Sequence, residues 1–209
     1  MRRGASQPAT VTRRTALRLL ALGSLAGTLG IAAQISSARQ ASAQVPDVPW
    51  DALATGGHVA LIRHATAPGV GDPSAFALDD CSTQRNLSAD GQAQAVRIGE
   101  TFRARGVAVE QVLSSGWCRC MDTATLAFGT AEVWPVLHSF FRDATSEWER
   151  TQELRERVGA WSGTGTLVLV THQVNITALT DIFPASGEII VLAPEQVGGF
   201  TIVGRTTVA

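Results

Sequence analysis

Apolar residues fall along this chain in short dense runs, separated by polar stretches of uneven length. The run GHVALI (57–62) has the length and composition of a strand buried on both faces. A loop rich in Gly, Pro and Asp follows, APGVGDPSAFALDDCSTQRN (67–86). LSADGQAQAVRIGETFRARG (87–106) then reads as a helix: Ser88 is placed to cap it, Ala95, Ile98 and Phe102 recur at helical spacing, and Gly106 stops it. VLSS (112–115) is a brief second strand, and RCMDTATLAFG (119–129) a helix ending at Gly129. SEWERTQELRERVGAW (146–161) puts Leu154, Val158 and Trp161 on one stripe and charges elsewhere, a third helix. TLVLV (166–170) is a third buried strand and VNITALT (174–180) a short helix. EIIVLA and FTIVGR, joined by PEQVGG, read as an antiparallel hairpin.

Strand and helix alternating three times predict an α/β fold with three layers, αβα. Its central sheet is largely parallel, with a C-terminal antiparallel hairpin. Ligand sites in such sheets lie outside the carboxyl ends of the strands. Arg63 and His64 stand where the first strand ends, SSGWCRC delivers Arg119 after the second, and Thr171 and His172 follow the third. Two guanidiniums and two imidazoles at one edge suit a tetrahedral dianion. The forked donors of arginine match phosphate oxygens. Histidine can act as a nucleophile, and nearby cations keep it neutral.

The first 43 residues follow another pattern. Arg13-Arg14 precede a run rich in Leu, Ala and Gly from 19 to 33, and the segment ends in Ala41-Ser42-Ala43. This predicts a Tat-type signal peptide over 1–43, cleaved after Ala43, and a periplasmic protein. An uncleaved anchor is the competing reading. The run is shorter than the ~20 residues that a membrane span needs, so no stable membrane insertion is expected after processing. Residues 44–56 are expected to form a linker or N-terminal segment, and 57–209 the domain. Cleavage removes six arginines and no acidic residue, leaving eleven arginines against 18 carboxylates, a formal charge of −7. A domain that acidic is not expected to bind nucleic acid. Nothing in the sequence sets the oligomeric state.

The chain has three cysteines, Cys81, Cys118 and Cys120. Their spacing is not that of a zinc site, and an oxidising compartment favours one disulfide, from Cys81 to either Cys118 or Cys120.

The stretches LIRHA, RNLSADGQAQA, SSGWCRCMDTA and VTHQVNI resemble, in order and over about Gly57 to Phe183, the histidine phosphatase (phosphoglycerate-mutase-like) superfamily. The likeness extends to exported bacterial members, including phosphatases of lipopolysaccharide-core heptose phosphate. The resemblance implies that His64 becomes phosphorylated, that Arg63, Arg119 and His172 bind the phosphoryl group, and that no metal or other cofactor is needed. It also implies a carboxylic acid a few tens of residues beyond Arg119. Glu147 is the first candidate, with Asp143 and Glu149 as rivals. Two positions depart from the family pattern: Ala65 and Gln173 stand where glycine is common. His58 and His138 are expected to be structural, Thr123 and Ala124 to pack Arg119, and Arg85 and Asn86 to sit at the rim. The expected function is an exported, metal-independent phosphomonoesterase with a phosphohistidine intermediate. Its substrate would be small, a sugar phosphate being one class. An inactive phosphate- or sugar-phosphate-binding module and a protein phosphohistidine phosphatase are the alternatives.

Overall fold

The computed structural model describes residues 47–195 and 198–208, all within the unit Gln44–Ala209. The expected signal peptide and its cleavage point lie outside these residues.

Among the described residues six strands form one sheet: β1 (Val59–Arg63), β2 (Val109–Ser114), β3 (Glu132–Val133), β4 (Thr166–Thr171), β5 (Ile189–Pro194) and β6 (Phe200–Thr206), in the order β3-β2-β4-β1-β5-β6. The four strands from β3 to β1 run parallel. β5 pairs antiparallel with β1 and with β6, so the expected hairpin closes the sheet on one side. All six residues of β4 are buried. Its neighbours and the helical layers leave it no polar face, which is why its sequence is a run and not an alternation.

Among the described residues five α-helices cover the sheet: α1 (Val48–Thr55), α2 (Ala89–Ala104), α3 (Cys118–Phe128), α4 (Glu147–Gly159) and α5 (Gln173–Thr180). Alternate strand residues sort them. Ala60, Ile62, Val168 and Val170 pack with α1, α2 and α3, whereas Leu61, Leu113, Leu167 and Leu169 pack with α4 and α5. The result is the expected three-layer αβα arrangement. Ser88 caps α2 as expected, its hydroxyl accepting from the Gly91 N–H at 3.0 Å. A Cβ at Gly99 would stand 1.9 Å from the Ala127 carbonyl oxygen, and one at Gly91 2.0 Å from that of Thr66. These bare positions let α2 lie directly against α3 and against the segment that follows β1.

Two elements depart from expectation. The segment expected as a linker or N-terminal segment contains a helix the sequence pattern did not show, α1, whose Trp50 and Leu53 are buried and whose indole meets the Phe102 ring edge-on at 5.2 Å. Eight residues with two inward anchors carry too little periodicity to stand out. The two-residue edge strand β3 was likewise below the length at which a strand pattern shows.

Candidate active site

Because β1, β4 and β2 run parallel, their carboxyl ends lie on one edge of the sheet, and hydrogen bonds hold the residues just beyond them in step. The His64 N–H donates to the Thr171 carbonyl and the Ser115 N–H to that of Val170, each at 2.9 Å. Arg63 ends β1, His172 immediately precedes α5, and Arg119 lies in the first turn of α3. All four expected phosphate-pocket residues thus reach one cavity of about 380 Å³. Its depth is set by His64, Arg119 and His172, which are buried, while apolar side chains at its mouth are open to solvent.

His64 is built as a neutral imidazole. Its Nδ1 lies 2.8 Å from the Ala65 carbonyl oxygen, which can only accept, so Nδ1 carries the proton and Nε2 the lone pair. Nε2 has no hydrogen-bond partner among the described residues. Burial drives the pKa down to about 3, with Arg119, Arg85 and Arg63 adding to the shift. The departure at Ala65 brings no backbone strain, since its φ is not positive. Its N–H donates to Thr123 Oγ1 at 3.0 Å, and that hydroxyl donates to the Arg119 carbonyl at 2.6 Å. One threonine therefore ties the segment of His64 to that of Arg119. The second departure, Gln173, opens α5 and donates from its amide to Thr177 Oγ1 at 2.9 Å.

His172 is neutral too. Burial first, then the charge of Arg119, hold its pKa well below the usual histidine range. Arg119 Nη2 can only donate, so Nδ1 of His172, 3.3 Å away, is the acceptor and Nε2–H points to Ser115 Oγ at 2.8 Å.

Arg119 makes the contact that the sequence did not announce. Its Nη1 and Nη2 bind Asp72 Oδ1 and Oδ2 at 2.7 and 3.1 Å, a bidentate pair with both partners nearly buried. Asp72 also accepts from the Arg85 N–H at 3.0 Å and from Trp117 Nε1 at 3.1 Å. Burial alone would raise the Asp72 carboxyl, but these donors outweigh it, and its pKa lies below the ordinary aspartate range. Arg85 lines the cavity as well, reaching the carbonyls of Ala67 and Gly71. Burial, and then Arg119, lower the pKa of both Arg63 and Arg85. The Nε atoms of Arg63 and Arg119 are buried without a partner.

The loop that carries Asp72 and Arg85 is fastened to α3. Cys81 and Cys118 form the disulfide, with Cα atoms 5.7 Å apart, which settles the pairing left open by the sequence. Gln84 Oε1 accepts the Cys118 N–H at 3.0 Å. Cys120 is a free buried thiol 3.5 Å from His172 Nε2, its pKa pushed up to about 12 by burial, and so unreactive.

Of the three carboxyl candidates for the acid, the structure brings only Asp143 to the cavity. Glu147 opens α4 and lines a separate surface groove with Trp148, Thr151 and Arg155, and Glu149 lines neither. The distance along the chain was right for Glu147, but the start of α4 turns it away. His58 is structural, its Nδ1 bonding the Gly56 carbonyl at 2.7 Å. His138 packs edge-on against Trp117 at 5.2 Å, and Asn86 bonds the Cys81 carbonyl away from the cavity. Asp72, Ser115, Phe141 and Phe183 had no signal at the sequence level. Each sits in a loop or turn where no period governs placement.

No protein-family model matches the chain, and no curated protein matches it in sequence. Solved structures do. A provisionally assigned alpha-ribazole-5'-P phosphatase from Escherichia coli K-12 superposes with a TM-score of 0.55 at 14% identity, covering 74% of this chain and 97% of its own. A mycobacterial glucosyl-3-phosphoglycerate phosphatase gives 0.51 at 15%, covering 70% and 97%. The protein histidine phosphatase SixA, complexed with tungstate, gives 0.50 at 18%, covering 72% and 96%. Likeness at these identities is likeness of fold, and the fold this chain shares with them is the histidine-phosphatase fold that its four sequence stretches implied.

Proposed function

We propose that the protein is a phosphomonoesterase that transfers the phosphoryl group of its substrate to His64 and then to water. The observation that carries this reading is the pairing of a neutral, buried His64, whose Nε2 is unengaged, with two buried guanidinium Nε–H donors that lack acceptors. A buried unsatisfied donor costs about 1–3 kcal/mol, and the oxygens of a phosphoryl group would satisfy both. In the first step the Nε2 lone pair attacks phosphorus, the P–O ester bond breaks, and the leaving oxygen takes a proton to depart as an alcohol. Arg63 and Arg119 hold the equatorial oxygens as charge moves, and His172, whose one N–H goes to Ser115, keeps Arg119 in place through Nδ1. In the second step water attacks phosphorus and gives up a proton, the N–P bond breaks with its electrons returning to Nε2, and phosphate leaves.

We assign the proton donor and acceptor to Asp143, the one sequence candidate at the cavity. Hydrogen bonds from Thr145 lower its pKa in the free protein. A bound dianion acts in the opposite sense. Side chains carry every step, so the reading needs no metal. The disulfide and the twin-arginine segment together support an exported protein.

Rapid quenching of the full chain during turnover of an aryl phosphate should trap phosphate in an acid-labile, base-stable linkage on His64. His64→Ala should remove label and turnover together. Arg119→Ala should cost about 10²–10³-fold in turnover, as loss of an oxyanion donor does. Asp143→Asn should slow poor leaving groups more than activated ones, and Glu147→Gln should do neither. Turnover without a phosphoenzyme would refute the covalent mechanism. Phosphate binding without turnover of any ester would make the protein a binding module.

A further inference from the structure

The cavity changes character between its base and its mouth. At the base are Arg63, His64, Arg119 and His172; toward the mouth the walls are built by Val70, Phe76, Trp117, Phe141 and Phe183. Three of these are unusually open for their type: Val70 is 89% exposed, Phe183 70% and Phe141 59%. They come from three separate segments, yet all border the same cavity. Scattered exposed apolar residues are ordinary; an apolar rim continuous with a phosphate-type base marks a ligand surface.

Several polar groups of the wall are partly engaged within the protein. Ser139 Oγ accepts the Phe141 N–H at 3.3 Å, and the Gln173 amide donates to Thr177. Arg142 donates to the backbone carbonyls of Asp72 and Pro73 and stacks over the Phe76 ring at 5.3 Å. Asp143 is held by the N–H and hydroxyl of Thr145, and Asp72 by Arg119. A leaving group dense in hydroxyls, or one carrying an ammonium, would lay polar groups against Val70, Phe141 and Phe183, which offer no partner, and desolvate them there without return. An alkyl or aryl group would remove Val70, Phe141 and Phe183 from water at no such cost.

Resting on the phosphomonoesterase reading, we propose that the substrate is an amphiphilic phosphomonoester, a phosphate on an apolar alkyl or aryl alcohol, and not a sugar phosphate. The volume of about 380 Å³ leaves room for such a group beyond the phosphate.

The test is kcat/KM of the full chain on n-alkyl phosphates from ethyl to octyl, below their micellar concentrations, beside glucose 6-phosphate and glycerol 3-phosphate. The expected result is a rise of up to about fourfold per methylene until the wall is covered, with both polyhydroxy esters below butyl phosphate. Phe141→Ser and Phe183→Ser, both at exposed positions, should flatten the rise. Trp148→Ser, which alters an exposed side chain in the separate groove, should leave it intact. A flat or falling series, a preference for the sugar esters, or a slope unchanged in both Phe variants would overturn this inference while leaving the phosphatase reading standing. Absence of hydrolysis of every ester, with no label on His64, would overturn both.

Discussion

A phosphoryl group can reach the Nε–H of Arg119 directly, but to take up Nη1 and Nη2 as well it has to displace Asp72, and this sets up a competition that Asp72→Asn should shift. In the free protein the bidentate pair occupies Nη1 and Nη2 at 2.7 and 3.1 Å. The asparagine keeps one acceptor but loses the charge. A hydrogen bond to a charged group contributes about 1.5–3 kcal/mol, so the free state is expected to lose about that much. The complex, in which the residue has already left Arg119, should lose little. The difference appears as affinity, and inorganic phosphate should bind about 10- to 100-fold more tightly to the variant. The same accounting fixes a second sign. Without phosphate the variant should melt below the wild type, because Arg119 is buried beside a weaker partner. Saturating phosphate should close that gap. The loop should not come free, since the Cys81–Cys118 disulfide and the Gln84 bond to Cys118 hold it independently. Calorimetric titration with inorganic phosphate, and melting curves with and without it, make the measurement. Weaker or unchanged phosphate binding in a folded variant would refute the competition.

Other consequences are simpler to state. Cys81→Ser opens a disulfide spanning 37 residues and should lower the unfolding free energy by about 4 kcal/mol, read from urea unfolding. An unchanged midpoint would show that the bridge does not constrain the unfolded chain. His64 and His172 have pKa values below that of an unfolded histidine, so the unfolded state binds more protons as pH falls. Stability should be fully present above about pH 6.5 and fall below it, by up to about 1.4 kcal/mol per pH unit for each histidine. For His64 that window extends down to about pH 3, and nitrogen NMR should show its ring still neutral, with the proton on Nδ1, at pH 5. A titration midpoint near 6.5 would refute the placement.

The parts of this molecule that the sequence showed are those fixed by a repeating rule. A strand buried on both faces must be apolar throughout, so VALI and TLVLV announced the centre of the sheet. The first ionisable residues after them, Arg63 with His64 and later His172, announced its working edge. Arg119 was legible for a related reason: it stands just inside a helix that starts three residues beyond Ser115. Asp72 obeys no such rule. It lies 47 residues before Arg119, and its destination depends on where its loop is fastened. Those fastenings are the disulfide, the Gln84 bond and the two Arg85 bonds to backbone carbonyls, each a pairing between positions with no fixed spacing.

The departure at Ala65 shows the same division from the other side. Read as a position in a motif, Ala65 is only an alanine where glycine is common, next to His64. In the fold its methyl is fully buried with Ala67, Leu87 and Ala95, and its N–H is satisfied by Thr123. A small side chain fits there because Gly91 already brings α2 within contact of the Thr66 carbonyl, and an alanine-lined gap of that width takes a methyl. The substitution is therefore part of how α2 packs on the segment that holds His64. A larger residue at 65 would have to push that helix away, moving His64 along with it.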